Sequence, residues 1–324
     1  MGKNGSFVST PVAGLGANTT YYYELTVQNN ATTAKSVTLS GSFKTLATSS
    51  ALQPDGENDT SATIQAAIDA AGKNGTVVLD GGVFMLDGGA KIEDVTVEGG
   101  KEAGFWPCGG GLLVNSGTVS RCRVRHNQLN ANNGYGAGVY IFNGQIDHSI
   151  VAFNRTTGGT SGAGGIGCNN ATTAGTILVD TCLVYGNAVP SGKGGGICFD
   201  QGNPNVTLRN TTITDNSASA AGGGLCFSTS KMKLVNSIVS GNSFGEGEGE
   251  VFGIPESASG NLVGEDPLFE DAANGDYHLR ADSPAVSIGA WYEGISEDLD
   301  GKRRFRRVDA GCYKIDRGMM IMIK

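Results

Sequence analysis

The sequence predicts an all-β chain whose main body is a right-handed parallel β-helix, a single-stranded solenoid of short stacked coils. A glycine followed by an aliphatic residue recurs from residue 111 onward at spacings of 27, 27, 31 and 28. An asparagine closes each unit at spacings of 27, 33, 29 and 26. Glycine supplies 52 of the 324 residues and charged residues only 17%, which favours tight turns and short strands over helices.

The repeated unit has three positions whose character is kept from one unit to the next. Apolar residues lie three positions before the closing asparagine: Val124, Val151, Val184, Ile213 and Val239. Small residues lie five positions before it: Cys122, Ser149, Cys182, Thr211 and Ser237. Aliphatic residues lie eight positions before it: Val119, Ile146, Val179, Leu208 and Leu234. A unit this short cannot bury a core alone, so we expect residues 109–242 to stack as coils about 4.8 Å apart that share one interior.

A short amphipathic helix is predicted before the coils. Ile64, Ala67, Ile68 and Ala71 recur at helical spacing, and Gly72 ends the pattern. Short apolar strands follow, up to residue 86. This helix-then-strand opening resembles the N-terminal cap of pectate-lyase-like β-helices, in which a helix covers the unpaired backbone at the open end of the stack.

The N-terminal residues 1–48 are similar to part of a fibronectin type III domain. Leu15, Thr19 and Tyr21 match the spacing of that family's tyrosine corner, with Ala17 where the family usually has proline. The alternating strand-like runs up to Thr45 resemble its last three strands. A complete module needs about 90–100 residues. We therefore expect a partial β-sandwich, and a chain that begins in mid-domain within a longer surface or secreted protein.

Two further resemblances concern the coils and the segment after them. The capped β-helix is predicted over residues 52–262. Its coils, over roughly residues 90–262, resemble the repeats of polymorphic outer membrane proteins, with Val or Ile where that family has Phe in its Phe-x-x-Asn signature. Residues 263–324 resemble the closing region of choice-of-anchor Q proteins, through the runs 266–269, 283–285 and 298–301. Both resemblances imply an exported bacterial protein of the cell surface.

Charge and hydropathy limit the kinds of binding partner that the sequence predicts. The net charge of −8 and the pI near 4.9 disfavour nucleic acid. The basic run at residues 302–307 is interpreted as a solvated face and is given no function. No apolar run reaches about 18 residues, so no membrane span is predicted. Residues 1–20 do not resemble a signal peptide, so an export signal is expected upstream, and the protein is expected to be a monomer.

Cysteines and carboxylates do not predict a metal centre or a cofactor. Cys122 and Cys182 lie two coils apart, about 10 Å, which is too far for a disulfide. Cys198 and Cys226 fall on adjacent coils, where a stack of small side chains is favoured over a bridge. The acidic run that alternates with glycine over residues 246–250, comprising Glu246, Glu248 and Glu250, is either a weak Ca²⁺ site or a solvated loop, and the loop is favoured.

One column of side chains is a candidate for catalysis. The position seven before the closing asparagine presents Asp147, Asp180 and Arg209 on successive coils, one residue out of phase with the interior, so we expect it on an outer face. Polysaccharide lyases and glycoside hydrolases on this scaffold use carboxylates with an arginine or Ca²⁺. A mixed-charge ladder on a solvated sheet gives the same pattern, and that interpretation is favoured.

A second set of side chains suggests carbohydrate binding. Arg123, Arg125 and Tyr185 occupy a second outward column, and Tyr140 and Trp106 are further aromatic candidates for stacking on sugar rings. Isolated exposed aromatic residues are also ordinary on any surface. The sequence therefore favours a surface scaffold for adhesion or carbohydrate binding, with a polysaccharide lyase or glycoside hydrolase as the alternative.

Overall fold

A computed structural model gives the fold and describes residues 20–28, 36–44, 84–86, 88–102, 109–159, 161–168, 175–200, 205–228, 231–245, 249–295 and 297–316. The chain divides into two compact units, Met1–Ala51 and Leu52–Lys324. The predicted capping helix lies outside the described residues. None of the described residues forms a helix long and apolar enough to cross a membrane.

The first unit contains one antiparallel pair of strands, Thr20–Gln28 and Ser36–Lys44. Their register runs without a break from the Thr20–Lys44 pair to the Gln28–Ser36 pair. The alternating pattern in this part of the sequence therefore does form strands, as predicted. The fibronectin assignment stays a prediction.

The second unit is a right-handed parallel β-solenoid with four sheets, which we name A to D in the order in which each coil visits them. Sheet A comprises Phe84–Leu86, Leu112–Val114, Val139–Ile141, Ile166–Cys168, Ile197–Phe199, Leu225–Phe227 and Val251–Phe252. Sheet B comprises Ala90–Glu93, Gly117–Ser120, Gly144–Asp147, Thr176–Asp180, Asn205–Arg209, Met232–Val235 and Ser257–Ser259. Sheet C comprises Thr96–Glu98, Arg123–Arg125, Ile150–Ala152, Leu183–Tyr185, Thr212–Thr214, Ile238–Val239 and Leu262–Val263. Sheet D comprises Lys101–Glu102, Gln128–Leu129, Arg155–Thr156, Ala188–Val189, Ser217–Ala218 and Ser243–Phe244.

The predicted register of the coils is confirmed. Val151 pairs with Val124 on one side and Val184 on the other, and the column continues through Ile213 to Val239. All five side chains are fully buried in one interior cluster. Each coil exposes a new layer of apolar side chains to the next, so the stack shares one continuous core.

Two corners of each coil have left-handed backbone, and their positions align along the stack. The corner between sheets B and C uses Asp94, Arg121, His148, Thr181, Asn210 and Asn236, with φ between 43° and 57°. The corner between sheets C and D uses His126, Phe153, Gly186, Asp215 and Gly241, with φ between 54° and 75°. This conformation is uncommon for residues other than glycine, so the repeated corner must be held by neighbouring contacts.

The closing asparagines supply those contacts as a buried ladder. In each of Asn127, Asn154, Asn187 and Asn216, the backbone N–H and Nδ2 both donate to Oδ1 of the next asparagine, at 2.9–3.0 Å. Each Nδ2 also donates to a sheet C carbonyl on the preceding coil. Both amide functions are thus satisfied inside the stack, which is the condition for burying a polar side chain without loss of stability.

A second column of small side chains lines the other corner. Ser149 Oγ accepts from the backbone N–H of Cys122, and Thr211 Oγ1 accepts from that of Cys182. Ser149 therefore lies between the two cysteines, as the register predicts. Cys198 and Cys226 pair directly on adjacent coils of sheet A, and both are free thiols.

The C-terminal segment folds back over the outside of sheet C. It contains an antiparallel hairpin, Phe269–Asp271 and Asp276–Leu279, joined by the 3-10 helix Ala272–Asn274. Tyr277 and Cys312 are buried against Leu183. A further parallel pair, Ser161–Gly162 and Gly192–Lys193, lies in the loops before sheet A.

Candidate functional sites

The acidic column forms in the predicted register on the outer side of sheet B. Asp147 pairs with Asp180, and Asp180 pairs with Arg209. Arg209 Nε donates to Asp180 Oδ2 at 2.7 Å. The adjacent Ile146 and Val179 are fully buried in the core, so the column points away from the coil interior, as predicted.

Asp147 is surrounded by hydrogen-bond donors. Ser120 Oγ and Gln145 Nε2 each donate at 2.7 Å, and His148 Nδ1 lies 3.1 Å from Oδ1. Burial acts to raise the pKa of Asp147, but the hydrogen bonds of His148, Ser120 and Gln145 outweigh it, so this pKa is lowered. The Asp147 carboxylate correspondingly raises the pKa of His148 against the effect of burial. The pair is held as a carboxylate beside an imidazolium at mildly acidic pH.

The column is covered, so the expectation of a solvated ladder is wrong. Asn210 Nδ2 donates to both Asp180 Oδ1 and the hydroxyl of Tyr292, and the Arg209 guanidinium lies 4.8 Å from the centre of the Tyr292 ring. The side chains of Asp147, Asp180 and Arg209 are only 12%, 14% and 29% exposed. Tyr292 belongs to the C-terminal segment, which has no place in the repeat, so the coil register could not reveal the cover.

Tyr140 is not available to a ligand, which corrects the expectation that it forms a sugar-stacking platform. It is 2% exposed and packs against Phe142, with ring centres 4.6 Å apart. The glycine-rich loops before the neighbouring sheet A strands fold back over the outer face of that sheet. A Cβ at Gly167, which pairs with Tyr140, would lie 2.6 Å from Cβ of Ala163 and 2.8 Å from the backbone N of Gly136. The other aromatic candidate, Trp106, lies outside the described residues.

Tyr185, Arg123 and Arg125 do come together, on the outer side of sheet C. Arg125, Ala152 and Tyr185 occupy one outward column on three successive coils, and Arg123 lies one pleat away from Arg125 on the same face. Burial raises the pKa of Tyr185, and the positive charges of Arg125 and Arg123 oppose that rise. Both arginines therefore lie within electrostatic reach of the Tyr185 hydroxyl.

The two arginines differ in their partners. Arg125 Nε donates to Glu98 Oε2 at 2.6 Å, in an ion pair whose side chains are 45% and 50% exposed. Arg123 is exposed and has no ion pair or side-chain hydrogen bond within the described part of the chain. An exposed guanidinium keeps all five N–H donors open to a ligand.

A row of aromatic rings borders these arginines, and sequence reasoning missed it. His126 stacks on Phe153 at 5.3 Å, Phe153 meets Tyr185 at 4.9 Å, and Tyr185 meets Tyr277 at 4.9 Å. Phe153 is 46% exposed, whereas Tyr277 is buried and donates to Asp215 Oδ2 at 2.7 Å. The row begins at His126 on the coils and ends at Tyr277 of the C-terminal hairpin. His126 and Phe153 could have been found, because both directly precede a closing asparagine.

We name Arg123, Arg125, Phe153 and Tyr185 the arginine–aromatic corner. It lies where the covering C-terminal hairpin ends: Leu183 on the coil of Tyr185 is buried by the hairpin, while Ile150 on the preceding coil is half-buried. The corner therefore combines partly exposed aromatic rings, a cation without an ion pair among the described residues and one exposed ion pair, on consecutive coils.

Of the acidic run over residues 246–250, the structure describes the side chain of Glu250, which has a structural role. The Glu250 carboxylate accepts from both nitrogen donors of Asn242, the last member of the ladder. Glu246 and Glu248 lie outside the described residues. Within the described ranges, no group of three or more His, Cys, Asp or Glu side chains is arranged to hold a metal ion.

Comparison with known proteins identifies the repeat region. The family model for the right-handed β-helix region matches residues 81–283, which is more than half of the chain. No curated protein and no solved structure matches the chain. The matched residues cover the sheets and corners described above, together with the hairpin that covers sheet C. The chain therefore belongs to the right-handed β-helix family.

Proposed function

We propose that this protein is an extracellular or cell-surface scaffold that binds polysaccharide at the arginine–aromatic corner. The observation that carries the proposal is the exposed guanidinium of Arg123, which has no ion pair with any residue the structure describes, beside Arg125 and the aromatic rings of Phe153 and Tyr185. Pectate-lyase-like relatives of this scaffold make a carbohydrate ligand the natural first choice, although a fold alone does not decide function.

The chemistry of the corner favours a sugar that carries carboxylate or sulfate groups. Aromatic faces provide flat apolar surface for sugar rings, and a guanidinium fits the geometry of a planar carboxylate with two parallel hydrogen bonds. Phe153 and Tyr185 lie on successive coils, so their rings offer neighbouring contacts along one extended chain.

The overall charge of −8 opposes an anionic ligand, but mainly at long range. Charges more than about 8 Å away are largely screened at physiological ionic strength, whereas contacts with Arg123 and Arg125 are direct. Glu98 already neutralises part of Arg125. Arg123 is therefore expected to contribute more to binding than Arg125.

Surface location and multidomain context are part of the same proposal. The likeness of residues 1–48 to fibronectin type III and of residues 263–324 to choice-of-anchor Q proteins supports a bacterial cell-surface role. The low exposure of Asp147 and Asp180, the second of which is linked through Asn210 to Tyr292, supports binding over polysaccharide cleavage, because neither carboxylate faces open solvent.

The proposal can be tested by affinity electrophoresis of the full chain. The gels contain polygalacturonate, alginate, dextran or xylan. We expect retardation by the two acidic polysaccharides and none by the two neutral ones. The same samples are assayed for reducing ends and unsaturated products. Equal retardation in all gels, or in none, would contradict the proposal, and cleavage products would favour the enzyme alternative.

A further inference from the structure

A second exposed surface lies on the C-terminal segment. Two antiparallel bridges, Gly289 with Val308 and Glu297 with Arg303, hold residues 303–308 alongside residues 289–297. These neighbouring stretches carry Trp291, 56% exposed, and Phe305, 68% exposed. Soluble proteins rarely expose large apolar side chains close together unless they serve an interaction.

The stretch that carries Phe305 is fixed from below by a buried arginine. Arg304 is 5% exposed, and its Nη1 and Nη2 donate to the backbone carbonyls of Asp309 and Gly311. With Arg304 directed inward, its neighbours Arg303 and Phe305 are left exposed. These hydrogen bonds hold the backbone next to Phe305 in place. Less conformational entropy is therefore lost when a partner binds Phe305.

Cations flank the exposed ring. Arg303 and Arg306 are both exposed, and neither has an ion pair or a side-chain hydrogen bond within the described part of the chain. Two carboxylates, Glu293 and Glu297, are exposed on the neighbouring stretch and reduce the local positive charge. We name Trp291, Arg303, Phe305 and Arg306 the cationic–aromatic loop.

We propose that the cationic–aromatic loop binds the surface of anionic lipid bilayers. Tryptophan and phenylalanine partition into the interface between headgroups and acyl chains, and nearby arginines are attracted by anionic headgroups. Ile288, adjacent to the loop, is also 40% exposed, and an aliphatic side chain favours an acyl environment over the hydroxyl groups of a sugar. The bilayer is therefore a better match to this surface than a second polysaccharide.

The inference can be tested by cosedimentation of the full chain with lipid vesicles. The test vesicles contain equimolar phosphatidylcholine and phosphatidylglycerol, and the reference vesicles contain phosphatidylcholine alone. We expect binding only to the anionic vesicles. Arg303→Gln and Arg306→Gln are each expected to weaken it about fivefold, the effect of about 1 kcal/mol per cation at a charged bilayer surface. Phe305→Ser should weaken binding at high salt as well, whereas Glu297→Gln should strengthen it.

Arg303→Gln and Arg306→Gln are also combined in one double variant. Its matched control is the double variant Arg123→Gln and Arg125→Gln, which removes the same charge from the other surface. It should bind vesicles as the wild type does, and thermal melts should show that all variants are folded. Equal binding to both kinds of vesicle, or equal loss in both double variants, would overturn the inference. The inference would also be overturned if the protein bound soluble dextran sulfate through Arg303 and Arg306 but did not bind vesicles.

Discussion

The carboxylate of Glu250 terminates the asparagine ladder at Asn242. Its oxygens accept from the Asn242 backbone N–H at 3.1 and 3.2 Å and from Nδ2 at 2.7 Å, where every earlier rung has the amide oxygen of another asparagine. Asn242 is 6% exposed, so these donors would otherwise be buried without a partner. A glutamate at the position that Gly224 occupies on the preceding coil thus satisfies the final rung.

Glu250→Ala is expected to lower the free energy of unfolding by about 1–3 kcal/mol, because it leaves buried donors unsatisfied. Glu250→Gln should lose less, since its amide oxygen still accepts. Urea unfolding measures both variants. The control is Glu256→Ala, which removes an exposed carboxylate from the same coil and should change stability by less than about 0.5 kcal/mol. Equal losses of stability in Glu250→Ala and Glu256→Ala would show that the Glu250 carboxylate does not stabilise the end of the ladder.

Asp180→Asn separates a structural role from a catalytic one. Because Asp180 accepts from Arg209, Asn210 and Thr181, we expect a loss of about 1–3 kcal/mol in stability. Asp282→Asn, which breaks only the exposed pair with Arg280, should cost less than about 1 kcal/mol. The proposal of a binding protein would be contradicted if the wild type cleaved polysaccharide and the folded Asp180→Asn variant did not.

The buried thiols of the coil stack and of the C-terminal segment are predicted to be unbridged and unreactive in the folded protein. Burial raises the pKa of Cys122 to about 11 and that of Cys312 to about 12, and it also raises the pKa of Cys182. Since the thiolate is the reactive form, iodoacetamide should modify these residues only after unfolding. Mass spectrometry of non-reduced peptides that links Cys122 to Cys182 would overturn the coil register.

Repetition made the coils predictable. Positions such as Val151 and Asn154 recur at a fixed distance from each other in every unit, so one alignment of the repeats places all of them inside the stack. Tyr292 has no counterpart in the repeat, and its contact arises only when the chain folds back. Glu250 stands where the earlier coils have glycine, so the repeat does not predict its carboxylate either. The burial of Tyr140 depends on the path of glycine-rich loops, which the repeat spacing does not specify. The sequence accordingly predicts which residues align in a column, but it does not predict which columns other parts of the chain cover.

The Asp147–His148 pair predicts a defined pH dependence of stability. The pKa of His148 is raised from 6.5, so its contribution is complete below about pH 6.5 and is lost as the pH rises through the folded-state value. The pKa of Asp147 is lowered from 3.8, so its contribution is present above about pH 4 and is lost on further acidification. His148→Asn, which tolerates the left-handed φ of 43° at this corner, removes the pair.

Thermal unfolding of the wild type and His148→Asn, from about pH 5 to about pH 8, measures this dependence. We expect the difference in Tm to be largest at the acidic end and to shrink as His148 deprotonates. His278, which lies between Asp276 and Asp300, is present in both proteins, so its own titration cancels in the difference. A constant difference across the range would show that the pair does not titrate as described.

Isothermal titration of an acidic oligosaccharide, with its carboxyl-reduced neutral counterpart as the reference ligand, tests the binding site most directly. We expect the wild type to prefer the acidic ligand, and Arg123→Gln to weaken that binding by about 1.5–3 kcal/mol, the value of a hydrogen bond to a charged group. Arg125→Gln should weaken it less, because Glu98 shares that guanidinium, and Arg303→Gln should leave it unchanged. Acidic-ligand affinity that is the same in the wild type and in Arg123→Gln would contradict the assignment of the arginine–aromatic corner as the carbohydrate site.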